Sequence, residues 1–195
     1  MKLKLALFIL VFSITFSCAE NSTITNELKD NFSTEQIKDF ETIVNFFKDQ
    51  ICEDTMSFES CFRKSMPDIL SQGISFFDYD YDRQKNLYNI IDDSTFISIW
   101  SFCETMDIDT DKAYQSLCFN IEGDYSKFLK QIALKNSFFK DYYEDLVNSG
   151  DFDSSGKLLQ KIAKNSKNFD FKNFNNQIII SIHYLTLVDQ ITRRR

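Results

Sequence analysis

The chain has 195 residues, a formal net charge of −7, and 43% hydrophobic and 15% aromatic residues, with only four glycines and one proline. An acidic surface of this kind repels nucleic-acid phosphates and anionic lipid headgroups, which sets nucleic acid aside as a partner. The length suits a single domain with its own core, and the scarcity of turn formers argues against a β-sandwich and for helices.

Residues 1–18 come first in chain order. Met1-Lys2-Leu3-Lys4 is basic, the stretch from Leu5 to Phe16 is apolar, and Ser17-Cys18-Ala19 is a small-polar exit. The apolar part is shorter than the roughly 20 residues of a membrane span. Basic start, short apolar core and small exit describe a secretory signal. The segment resembles a bacterial lipoprotein signal, in which the cysteine after the cut becomes the lipidated first residue. That resemblance implies a signal at 1–17, a lipid on Cys18, and a protein held at the cell envelope, facing periplasm or surface. Thr15 and Phe16 depart from the family pattern, which prefers a Leu-like and a small residue at those places. Ordinary cleavage after Ala19, giving a secreted protein, also satisfies the small-x-small rule. Either cut removes Lys2 and Lys4 and no acids, which takes the charge from −7 to −9.

Residues 18–32 are polar and lack an apolar period, so they read as a tether between lipid and domain. Asn21-Ser22-Thr23 and Asn31-Phe32-Ser33 match the glycosylation acceptor pattern, which matters only in a eukaryotic secretory pathway.

Residues 33–195 are expected to form a single all-α domain of about seven helices. Ser33 with Gln36 makes a capping box, and Ile37, Phe40, Val44, Phe47 and Ile51 then mark one helix face. A second helix carries Phe58, Cys61, Phe62 and Met66, with Pro67 opening a short continuation that Gly73 ends. Residues 82–92 place Leu87, Ile90 and Ile91 inward. Asp93 or Ser94 caps the next helix, on which Phe96, Ile99, Trp100 and Cys103 share a face. Tyr114, Leu117, Cys118, Ile121, Tyr125, Phe128, Leu129 and Ile132 keep three- and four-residue steps, which predicts one long helix running through Gly123. A helix with Phe139, Tyr142, Tyr143 and Leu146 ends at Gly150, and Leu158, Leu159 and Ile162 mark a short one. Residues 177–188 are β-branched enough for a strand, but their length and the spacing of Ile178, Ile182 and Leu185 favour helix.

Five cysteines are an odd set for an exported chain. With Cys18 lipidated or removed, Cys52, Cys61, Cys103 and Cys118 remain and allow three pairings. Cys52–Cys61 and Cys103–Cys118 are preferred, because each then spans one expected helix-to-helix connection. Zinc is the alternative, but no C-x-x-C pair occurs and an exported chain meets oxidising conditions.

Three acidic clusters suggest calcium: Asp78/Asp80/Asp82, Asp107/Asp109/Asp111 and Asp151/Asp153/Ser155. The third has Gly156 where a calcium loop turns, yet Ile162 stands where the closing bidentate Glu belongs. Turn and helix-cap roles account for the same acids. We therefore expect no metal and no cofactor. His183 is the only histidine and is expected to be structural. Trp100 and the aromatic pairs Phe46-Phe47, Phe76-Phe77, Phe138-Phe139 and Tyr142-Tyr143 line either the core or a ligand groove. Arg193–Arg195 complement the negative end of the last helix.

With one histidine and no nucleophile motif, the expected function is a non-enzymatic binding module with no catalytic residue. An immunity- or inhibitor-like protein that meets a basic partner would suit its charge. The alternative is a cell-wall glycan hydrolase acting through Glu104, Glu122 or Glu144.

Overall fold

A computed structural model describes residues 24–52, 55–77, 80–107, 109–153 and 156–194. The signal segment and Cys18 lie outside the described residues, as do Asn21, Asp78 and Ser155. Among those described are nine α-helices and a two-stranded antiparallel hairpin. The fold is thus mostly helical, and the all-α expectation is corrected by β1 (Trp100–Asp107) and β2 (Lys112–Phe119).

The folded part begins before Ser33. Thr25 caps α1 (Asn26–Asn31), and Leu28 and Phe32 are buried. Asn31 donates to Gln131 at 3.0 Å, and Glu27 accepts from Lys135 at 2.7 Å. The described part of the expected tether, residues 24–32, therefore packs onto the domain. Its two buried apolar side chains, Leu28 and Phe32, supply the driving force that the polar composition hid.

Helix α2 (Thr34–Ile51) starts at the expected capping box and buries the expected face, from Ile37 to Ile51. Helix α3 (Phe58–Gln72) contains Pro67 in its interior and stops at Gly73, whose φ of 61° suits glycine. The Cys52–Cys61 disulfide joins these two helices. A short 3₁₀ turn leads to α4 (Tyr81–Ile90), capped by Asp80, and then to α5 (Asp93–Ile99), capped by Asp92 rather than by Asp93 or Ser94. Ile90 turns outward, while Leu87 and Ile91 are buried as expected.

Helix α5 ends at Ile99, and Trp100 and Cys103 enter β1, not a helix. Asp107 makes the turn: its carboxylate accepts from the backbone of Asp109 at 2.8 Å and Thr110 at 3.1 Å. Asp111 closes it with φ 53°, a left-handed conformation that Asp tolerates better than most residues. The register sets Cys103 opposite Ser116 and Cys118 opposite Ser101, so the two cysteines are diagonal neighbours on one face. Their disulfide forms as expected, but it staples a hairpin rather than two helices.

The long helix expected from Tyr114 to Ile132 is split accordingly. Its first third is β2, and α6 (Asp124–Lys135) begins only after Gly123. A Cβ at Gly123 would lie 2.1 Å from the Ser98 carbonyl oxygen, so glycine is required where α6 starts against α5. Helices α7 (Ser137–Ser149) and α8 (Lys157–Lys164) follow. Last comes α9 (Phe174–Arg194), buried at every residue from Phe174 to Asp189. A helix covered on all sides is the axis of the fold, and the other elements wrap it. No helix among the described residues is long and apolar enough to cross a membrane.

The core is aromatic. The ring of Phe47 lies 6.0–6.4 Å from those of Phe58, Phe62, Phe77 and Tyr184, tying α2, α3 and α9 together. Trp100 is fully buried, and its Nε1–H donates to Thr186 of α9 at 2.7 Å. The C-terminal arginines do more than offset a helix dipole. Arg193 pairs with the buried Asp189 and lies over Phe102, and Arg194 holds Asp107 and Asp109 at the hairpin turn. Arg195 lies outside the described residues.

Candidate functional site

Gly150, in the left-handed conformation with φ 76°, ends α7, and the chain returns through Asp151-Phe152-Asp153 to α8. Asp151 fixes this return. One carboxylate oxygen accepts from Phe152 N at 2.8 Å and Phe119 N at 3.3 Å, and the other accepts from Gln190 Nε2 at 2.7 Å. The loop is thereby tied to β2 and α9 at once, which sets α8 beside α7. Burial raises the Asp151 carboxyl above its ordinary range, against these hydrogen bonds.

Between α7, α8 and α9 lies a cavity of about 170 Å³. Tyr142 and Leu146 of α7, Leu158 of α8 and His183 of α9 form its inner surface; Asp141, Asp145, Asp153, Lys157 and Lys161 form its rim. The rim charges pair across the opening. Lys161 meets Asp141 at 2.7 Å, and Lys157 lies 3.7 Å from Asp145 and 3.5 Å from Asp153. Exposed pairs of this type contribute at most about 1 kcal/mol each, so they can part without unfolding anything.

His183 is 1% exposed. Burial pushes its imidazole down to about 4, with the Asp153 carboxylate opposing the shift. The ring is therefore neutral at ordinary pH. Its Nδ1 lies 3.3 Å from the Tyr142 hydroxyl, and neither group has another hydrogen-bond partner among the described residues. Burial raises Tyr142 well above the usual phenol range, so its hydroxyl keeps its proton. The tautomer that leaves no hydroxyl proton idle has Tyr142 donating to Nδ1. In that tautomer the ring proton sits on Nε2, and His183 borders the cavity.

The acids whose spacing suggested calcium are engaged in turns, caps and ion pairs. Asp80 caps α4, Asp82 pairs with Lys85, and Asp107 builds the hairpin turn under Arg194, which helps hold its carboxyl at about 2. Asp151 has both oxygens bonded, and Asp153 pairs with Lys157. No group of three His, Cys, Asp or Glu residues among those described could hold a metal ion. Melting curves in 1 mM calcium and in chelator are expected to coincide. A chelator-dependent loss of several degrees, abolished by Asp151→Asn, would show that these loops bind calcium after all.

Glu104, Glu122 and Glu144 are exposed on β1, on the turn before α6 and on α7, and none borders the cavity. Of the aromatic pairs, Tyr142 reaches the cavity, and Phe138 lies under Lys161 at 5.2 Å. Trp100 belongs to the core. The cavity's polar residues, Asp141, Asp145, Lys157 and Lys161, carried no sequence signal. Their spacing along α7 and α8 is that of any solvated helix face, and only the packing of the two helices brings them together. No protein-family model, curated protein or solved structure matches the chain.

Proposed function

We propose that the protein is a non-enzymatic binding module, held at a membrane by a lipid on Cys18, that takes a small molecule between α7, α8 and α9. The observation that carries this reading is His183, a buried neutral imidazole with one unpartnered nitrogen at the floor of a mostly apolar cavity. Enclosed apolar walls with one or two polar groups are the usual make-up of small-molecule sites.

Catalysis is poorly supported. A general base works best with a pKa near the working pH, and His183 lies well below it. No Ser, Thr or Cys is among the described residues that border the cavity. Glycan hydrolysis uses two carboxyl groups roughly 5–9.5 Å apart around one bond. The exposed glutamates stand on three separate elements, which does not favour such a pair. The two disulfides support an oxidising compartment, in keeping with export. The acidity of the body supports approach by a basic partner outside the cleft.

Two experiments test the reading. Cys18→Ala is expected to abolish labelling by radioactive palmitate and partitioning into detergent; unchanged labelling would remove the membrane anchor from the proposal. Saturation-transfer NMR with single-ring fragments is expected to find binders that compete for one site. Leu158→Phe, which fills the cavity from α8, is expected to exclude them. Binding untouched by that substitution would place the site elsewhere.

A further inference from the structure

The chemistry of the cleft narrows what it can hold. Its volume of about 170 Å³ is close to that of an apolar protein cavity of about 150 Å³ that accepts benzene. Leu146, Leu158 and the side of the Tyr142 ring give it apolar walls. The rim offers little to a charged ligand. Both lysines are already paired with aspartates, and the imidazole at the floor carries no charge. His183 borders the space, and with Tyr142 donating to its Nδ1 the ring's remaining donor is Nε2–H.

We infer that the ligand of this cleft is a neutral single-ring molecule of about benzene's size with one hydrogen-bond acceptor, recognised by the Nε2–H of His183. The inference rests on the proposal that the cleft is the binding site. A ligand without an acceptor would seal a buried donor away from water with no partner, which lowers affinity by an order of magnitude or more. A ligand that presents a carbonyl or ether oxygen to the floor avoids that loss and leaves the rim pairs in place.

Cyclohexanone and methylenecyclohexane share size and shape and differ in C=O against C=CH₂. Their affinities are to be measured by NMR on the full chain carrying Cys18→Ala, so that no lipid or detergent competes for the probe. Cyclohexanone is expected to bind roughly ten to a hundred times more tightly than methylenecyclohexane. The preference should vanish when His183→Leu is added, and cyclohexanone should move the Nε2 resonance of the chain that keeps His183, a readout that needs no substitution in the core. Equal affinities would overturn the acceptor inference while leaving the cleft as a binding site. A preference that persists in His183→Leu, or an unmoved Nε2 signal, would assign recognition to another group and also overturn it. No binding of either molecule up to its solubility limit would overturn both the inference and the site on which it rests.

Discussion

Gly123→Ala is expected to destabilise the protein by about 3 kcal/mol, an overpacking penalty at the upper end for a single methyl because the clash is with backbone. The added Cβ would come within 2.1 Å of the Ser98 carbonyl oxygen and 2.8 Å of its carbon, and neither atom can swing aside as a side chain would. Asn120 anchors the same junction, since its N–H donates to Ile99 O and its side chain to Ile97 O. The sign is diagnostic. Were Gly123 inside a continuous helix from Tyr114 to Ile132, alanine would stabilise by about 1 kcal/mol. Thermal melts decide it: for a domain of this size 3 kcal/mol lowers the midpoint by roughly 6–12 °C. A raised midpoint would restore the long helix and dissolve the hairpin.

The second large effect is a pH dependence that passes through His183. Tyr142 of α7 faces its ring, Asp153 lies close enough to oppose its shift, and Asp141, Asp145, Lys157 and Lys161 stand at the rim above. In the folded chain the imidazole takes a proton only near pH 4, whereas the unfolded chain takes it near the ordinary 6.5. Above pH 6.5 neither state holds the proton and His183 leaves stability unchanged. From 6.5 down to 4 the unfolded state gains a proton that the folded state refuses, so stability falls by about 3 kcal/mol in total. Asp151 and Asp189 have raised values and Asp107 a lowered one, so the raw pH curve mixes several groups. Subtracting the curve of His183→Gln isolates the histidine. The unsubstituted chain should lose about 3 kcal/mol more than the variant between pH 7 and 4; parallel curves would show that His183 is solvated.

Much of the fold was legible in the sequence, and the gaps have physical causes. Helix α2 was plain from Ser33-Gln36 and the apolar spacing that follows, because one face meets the core and the other meets water. Helix α9 was the ambiguous case. Burial on every side erases amphipathic spacing, which left Ile178–Ile182 looking like either helix or strand. The hairpin was missed for two reasons. Tyr114, Leu117 and Cys118 sit at steps that join onto those of α6, and β2 is buried at four successive residues from Ser116 to Phe119, so it shows no alternation. Its turn also lacks glycine: Asp111 takes the left-handed position and Asp107 caps it, so turn chemistry appeared as an acidic cluster. The disulfide pairing survived this error, because cysteines close in sequence remain close whether a hairpin or two helices connect them. The cleft was beyond reach. His183 could be singled out as the one histidine, but nothing in the spacing of Tyr142 or Leu158 says that they border it.

The proposed binding cleft depends on a neutral His183 that offers its Nε2–H donor there. Long-range ¹H–¹⁵N NMR of the imidazole tests it directly, and with one histidine in the chain the signals need no assignment. The expected result is a neutral ring with its proton on Nε2 from pH 8 to about 5, and protonation only near pH 4. A ring that titrates near 6.5, or one whose proton sits on Nδ1, would contradict it.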